Sequence, residues 1–160
     1  MNLTDLGAGA GALLKERGQT VAVAESSAGG VISAALLAVP GASAYFKGGG
    51  VVYTGASKQT LTAVPDEAMA EARAATETHA LHLARAARRR LGTDWGIGET
   101  GAAGPSGNRY GDPPGHTCIA VSGPLEKAVS LATGSDRREE NMWAFAKAAL
   151  DLLEEGLAGK

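Results

Sequence analysis

The apolar positions of this chain fall into runs of two kinds, separated by glycines and prolines. Thr4 can cap a helix to about residue 17, which Gly18 stops. The run Thr20-Val21-Ala22-Val23-Ala24 reads as a strand, and a helix over about 29–38 follows, ended by Val39-Pro40-Gly41. Gly48-Gly49-Gly50-Val51-Val52-Tyr53-Thr54 reads as a glycine-started strand ahead of a short helix at 55–62. Pro65 interrupts, and a long helix over 76–91 is stopped by Gly92. A strand at about 94–98 leads into residues 99–115, where the density of glycine and proline predicts a loop. Strands at 116–122 and 127–133 form a hairpin through Gly123-Pro124. Asp136 and Glu139 read as a capping box for a last helix, with Met142, Phe145, Ala146, Ala149, Leu150 and Leu153 on one face. The alternation predicts an α/β fold: a three-layer α/β/α sandwich around a mixed, largely parallel sheet, one domain over 1–160.

Composition narrows the function classes. The 160 residues suffice for a core without disulfides or metals. A formal charge of −2 leaves no electrostatic footprint for nucleic acid, and Arg85, Arg88, Arg89 and Arg90 suit the end of a helix. The single cysteine, Cys118, excludes an internal disulfide and has no zinc-site spacing. Asp5, Lys15, Glu16 and Arg17 break the N-terminal apolar positions, so neither a signal peptide nor a membrane span is expected, and the predicted location is the cytoplasm.

The candidate chemistry begins at Glu25-Ser26-Ser27-Ala28-Gly29-Gly30. A strand that passes through hydroxyls and glycines into a helix presents a hydroxyl at the sheet edge and free N–H groups to an anion. A plain serine cap is the alternative. Residues 99–112 mix turn residues with Arg109 and Tyr110, which suits a ligand loop as well as a self-contained surface loop. No Walker lysine follows its last glycine. Lys58, if desolvated near Ser26, would serve as its base. His79 and His82 suit surface or capping roles, whereas His116 directly follows the glycine-rich loop.

These motifs resemble the C-terminal domain of the CinA family, the PncC-type nicotinamide mononucleotide deamidases. The family's A-E-S-C-T-G-G corresponds to Ala24-Glu25-Ser26-Ser27-Ala28-Gly29-Gly30. Its V-P-G-S-S-A-W-F, then G, Y and K, correspond to Val39-Pro40-Gly41-Ala42-Ser43-Ala44-Tyr45-Phe46, Gly48, Tyr53 and Lys58. Its T-G-I-A-G-P-x-G corresponds to Thr100-Gly101-Ala102-Ala103-Gly104-Pro105-Ser106-Gly107. The resemblance implies a stand-alone, cofactor-free and metal-free amidohydrolase that converts nicotinamide mononucleotide to nicotinate mononucleotide and ammonia. In it Ser26 is the nucleophile, Tyr53 and Lys58 relay its proton, and the N–H groups of 27–29 form the oxyanion hole. Glu25, Ser27, Gly29, Gly30, Glu99, Thr100, Gly101, Gly104, Arg109, Tyr110 and His116 are the implied substrate-binding set, with the 101–107 loop and Arg109 on the ribose phosphate.

The departures lie around the presumed ligand. Ser27-Ala28 replaces a C-T pair, Gly98 and Glu99 replace a serine and an apolar residue, His116 replaces a threonine, and Asn141 stands where a second arginine follows Arg137. They keep open a nucleophilic role for Ser27, a different small amide as substrate, and a non-catalytic ligand-binding protein on the same fold. Glu99 and Arg109 read either as a surface ion pair or as a pair selecting a polar substrate group. The resemblance also implies a homodimer or higher homo-oligomer; the apolar face of the last helix beside Trp143 offers one surface for it, while most of that face reads as core.

Overall fold

A computed structural model describes residues 1–160. Helix α1 (Leu3–Arg17) is capped by Asn2, not Thr4, and ends at Gly18 in the left-handed conformation. Strand β1 (Val21–Glu25), helix α2 (Val31–Ala38), a 3-10 turn (Ala42–Ala44), strand β2 (Phe46–Val51) and helix α3 (Gly55–Thr62) follow. Then come α4 (Asp66–Glu71), α5 (Glu77–Leu91), β3 (Trp95–Ala102), β4 (His116–Ser122), β5 (Glu126–Ala132) and α6 (Arg138–Leu157). The capping box expected at Asp136 does not form: α6 starts after Arg137 with no side-chain cap.

The sheet order is β2-β1-β3-β4-β5, with β1 parallel to both β2 and β3, and β3-β4 and β4-β5 antiparallel. Parallel pairing therefore covers one half of the sheet and a meander the other. The chain leaves β1 for β2 through α2 and returns across β1 to β3 through α5. The carboxyl ends of β1 and β3 are thus a topological switch point, where open α/β sheets bind ligands.

Side chains alternate across a strand, and here they alternate in size. Val21, Val23, Trp95, Ile97, Ile119 and Val121 pack with α1, α2 and α6 in the larger core. Ala22, Ala24, Cys118 and Ala120 face α5 and its neighbours. Gly96 and Gly98 carry the small face across β3: a Cβ there would collide with the Ala84 and Ala80 carbonyl oxygens. Helix α5 therefore rests its backbone on the sheet. It runs antiparallel to β3, with its first turn over the carboxyl end of that strand.

One expectation is corrected. Residues 99–102 extend β3 instead of opening a loop, because Glu99, Thr100, Gly101 and Ala102 pair with Ile119, Cys118, Thr117 and His116. A ladder with a neighbouring strand overrides the local glycine signal. The apolar face of α6 is core, as most of it was expected to be: Phe145, Ala146, Ala149, Leu150 and Leu153 are all buried.

Candidate functional site

The turn after β1 sits at the switch point, and two buried carboxylates consume most of its N–H groups. Glu99, fully buried on β3, accepts from Ser26 N (2.9 Å), Ala28 N (2.8 Å), Thr117 Oγ1 (2.7 Å) and Ser27 Oγ. Glu25 accepts from Gly30 N, Ile32 N, Ser33 N and Ser33 Oγ at 2.8–3.1 Å, closing the N-terminus of α2. Gly29 N donates to the Ser26 carbonyl. Gly29 and Gly30 adopt positive φ (67° and 101°), which makes the chain tight enough for both carboxylates to reach it. Burial raises Glu25 above the usual carboxylate range, and the Glu99 charge adds to this against the Ser33 hydrogen bonds.

The oxyanion hole implied at 27–29 is therefore largely occupied by the chain itself. A carboxylate at an amide nest supplies the negative charge that a ligand would otherwise bring. Of the three N–H groups, Ala28 serves Glu99 and Gly29 serves a turn, which leaves Ser27 N–H. The expectation that Glu99 lies in a partly exposed loop beside Arg109 is overturned. Its 0% exposure and four hydrogen bonds make it the latch of this turn.

Ser26 is 7% exposed, and Glu99 holds it by its backbone N–H alone, which leaves its hydroxyl uncommitted. Lys58, on α3, is 4% exposed, and its amine makes no hydrogen bond or ion pair in the protein, although its backbone bonds to Thr54, Thr62 and Val64. Burial pulls its pKa below the ordinary lysine value against the attraction of Glu99. No direct hydrogen bond joins Ser26, Tyr53 and Lys58. Tyr53 is 60% exposed and its hydroxyl accepts from Arg138 Nη2 (3.3 Å).

Two cavities share Tyr53. One, of about 440 Å³, is lined by Lys58, Met69, Arg73, His79, Arg109 and Tyr110 among others. The second, of about 380 Å³, lies along residues 101–108 with Arg138 at its side. Ser26 lines neither, and Glu99 and His116 do not join Arg109 and Tyr110 in one cleft as expected. The Arg73 and Arg109 guanidiniums lie 4.7 and 5.0 Å from the Tyr110 ring centroid. Arg73 is held by Asp112 (2.9 Å), while Arg109 meets only the Tyr110 hydroxyl (2.9 Å).

The other expected site residues hold the frame. Thr100 Oγ1 accepts from Ala75 N (3.0 Å), and His116 Nε2 donates to the Ala75 carbonyl (2.9 Å). Together they fix the turn that carries Arg73. Gly101 faces Thr117 on β4 too closely for a side chain, and Gly104 lines the loop cavity. Asn141, in place of an arginine, donates to the Ala103 (2.7 Å) and Ser135 (2.9 Å) carbonyls and pins the start of the loop.

Three residues escaped the sequence reading. Arg138 reaches the Gly104 carbonyl and Tyr53, and no motif in the sequence marks it. Arg73 carried no motif. His79, expected at the surface, is 2% exposed. Its i, i+4 spacing from the buried Leu83 was the available signal. No group of three His, Cys, Asp or Glu side chains gathers to hold a metal ion, and no helix is long and apolar enough to cross a membrane.

The CinA C-terminal domain family matches residues 4–157. A CinA-like protein of Gloeobacter violaceus is 40% identical over 150 residues, covering 92% of this chain and 35% of the relative. One from Synechococcus elongatus is 43% identical over 151 residues, with the same coverage. The chain spans about a third of the length of such relatives. Among solved structures, a CinA superfamily protein from Klebsiella pneumoniae superposes with a TM-score of 0.91 at 25% identity, over 100% of both chains. The competence/damage inducible protein CihA of Agrobacterium tumefaciens superposes with a TM-score of 0.88 at 28% identity, over 98% of this chain and 95% of that one.

Proposed function

This chain belongs to the CinA C-terminal domain family, and on that premise we propose that it is a serine amidohydrolase deamidating nicotinamide mononucleotide to nicotinate mononucleotide and ammonia. The observation that carries this reading is Lys58: a buried lysine without a partner, its pKa lowered by desolvation, in a cavity at the carboxyl ends of the parallel strands. A structural lysine would be paired or exposed. A desolvated, unpaired amine is what a serine needs as base.

Ser26 is favoured over Ser27 as nucleophile. Ser27 Oγ is spent on Glu99, whose oxygens already accept four hydrogen bonds, whereas the Ser26 hydroxyl is free. The Lys58 amine takes the Ser26 proton as Oγ bonds to the amide carbon. The ammonium then protonates the leaving nitrogen as the C–N bond breaks. Water cleaves the resulting ester by the same steps, with Ser27 N–H as the backbone donor left for the oxyanion. The pyridine ring takes the Lys58 cavity, where Met69 and Tyr110 offer apolar surface, and its carboxamide projects out of that cavity to meet Ser26. The phosphate takes the loop cavity with Arg138, since the helix start is closed by Glu25 and Glu99.

Ammonia release from nicotinamide mononucleotide, followed for wild type and Ser26→Ala, tests the reading. Loss of about 10⁴-fold or more in kcat is expected for the variant. Turnover by Ser26→Ala near the wild-type rate would end the Ser26 mechanism. Turnover by wild type of another carboxamide alone would move the substrate and keep the mechanism.

A further inference from the structure

Two polar groups of the Lys58 cavity lack a partner in the protein, and they are complementary. Lys58 Nζ is a donor. His79 Nε2 is buried without any hydrogen-bond partner, and its ring lines the same cavity. The other ring nitrogen fixes the tautomer: Nδ1 lies 3.0 Å from the Ala72 carbonyl oxygen, which only accepts. Nδ1 therefore carries the proton and Nε2 offers a bare lone pair. The ring cannot retreat, because α5 rests on Gly96 and Gly98, and α3, which carries Lys58, packs against α5.

We infer that His79 is a positioning residue for Lys58: the two groups are not hydrogen-bonded in this structure, and when the amine swings across their shared cavity His79 Nε2 accepts one of its N–H groups and turns its lone pair toward Ser26. The inference rests on the serine–lysine reading above and adds a third group to it. A neutral amine has two N–H bonds and one lone pair. With one N–H on His79, the lone pair receives the Ser26 proton as the Oγ–C bond forms, and the ammonium releases that proton to the departing nitrogen. His79 keeps its own proton on Nδ1 throughout. Burial and the Lys58 charge hold its pKa near 4, so the lone pair is available at neutral pH.

The charged and titratable groups around this pair are Glu99 on β3, Arg73 with its Asp112, Arg109, Tyr110 and Tyr53. His82 also faces it from α5, with Nε2 3.2 Å from Glu71 Oε2. All remain when His79 alone is changed.

The test uses the full chain with His79→Leu and His79→Gln. The pH profile of kcat/KM for nicotinamide mononucleotide is read beside the pH dependence of Lys58 acylation by acetic anhydride. The leucine variant should lose about 100-fold in kcat/KM through the misplaced amine. Its acid limb and its Lys58 acylation midpoint should both move down by about one pH unit, because the ammonium loses a hydrogen bond that favours it. The glutamine variant, whose carbonyl oxygen accepts, should recover most of both. Equal losses in the two variants with unmoved midpoints would show that His79 only holds Ala72, which overturns the inference while leaving the amidase reading intact. If wild type releases no ammonia but the acylation midpoint moves in His79→Leu, the amidase reading fails and the pairing stands. Should the leucine variant not fold, the ¹⁵N resonance of His79 Nε2 decides: a shift on Lys58→Met supports the pairing, and no shift overturns it.

Discussion

Replacing Glu99 by alanine should unfold this protein well before it changes any specificity. The side chain is fully buried and accepts two backbone N–H groups, at 2.9 and 2.8 Å, and two hydroxyls. Removing it leaves four buried donors. The Ser27 and Thr117 hydroxyls can rotate to new acceptors, but the N–H groups of Ser26 and Ala28 cannot. At about 1–3 kcal/mol for each unsatisfied buried donor, the loss is about 3–5 kcal/mol. That is a large part of the roughly 5–15 kcal/mol that holds a domain together. At about 2–4 °C per kcal/mol for this size, Tm should fall by roughly 10–15 °C. Glu99→Gln keeps the oxygen that both N–H groups use and should cost about 1–2 kcal/mol. Urea titration of the three proteins at pH 7 measures these differences at constant m. Acetate, which can place a carboxylate on the vacated N–H groups, should restore part of the loss in the alanine variant and none in the glutamine variant. A Glu99→Ala protein within about 0.5 kcal/mol of wild type, a change typical of the surface, would refute the latch.

Other consequences follow from single contacts. Lys58→Met should abolish turnover yet raise stability at pH 7 by about 1–2 kcal/mol, since it relieves a buried unpaired cation; a less stable variant in thermal melts would argue against burial of the charge. For wild-type Lys58 the linkage runs the same way: its folded pKa lies below 10.5, so its cost to stability is full at low pH and lifts as pH rises toward 10.5. His79 has a folded pKa of about 4 against 6.5 unfolded, so its contribution is full above pH 6.5 and is lost as pH falls toward 4. Over that window it amounts to about 3 kcal/mol, and a urea series from pH 7 to 4 should be correspondingly flatter for His79→Leu. Gly98→Ala should cost about 2–3 kcal/mol by forcing α5 off the sheet, and calorimetry showing no loss would mean the helix stands further out than the Ala80 contact requires.

Much of this protein is determined by local sequence. The strand–turn–helix at 20–38, the cap at Thr76, the stops at Gly18 and Gly92 and the hairpin at Gly123-Pro124 depend on neighbouring residues, and all appear in the fold. The motif residues Ser26, Tyr53 and Lys58 could be named for the same reason. What they do to one another was decided elsewhere. Glu99 looked like a loop carboxylate because the ladder that makes it strand comes from β4, some 20 residues later, and the turn it latches lies 71–73 residues earlier. His79 looked like a surface histidine by residue type, yet its i, i+4 spacing from Leu83 puts it on the stripe of α5 that the bare backbone of Gly96 and Gly98 lets close onto the sheet. The apolar stripe of α6 reads mostly as core from its spacing, and α1, α2 and the sheet are what cover it. Local propensity writes the elements, whereas burial, and with it the charge state of Lys58 and His79 and the hydrogen bonding of Glu99, exists only once distant segments have excluded water.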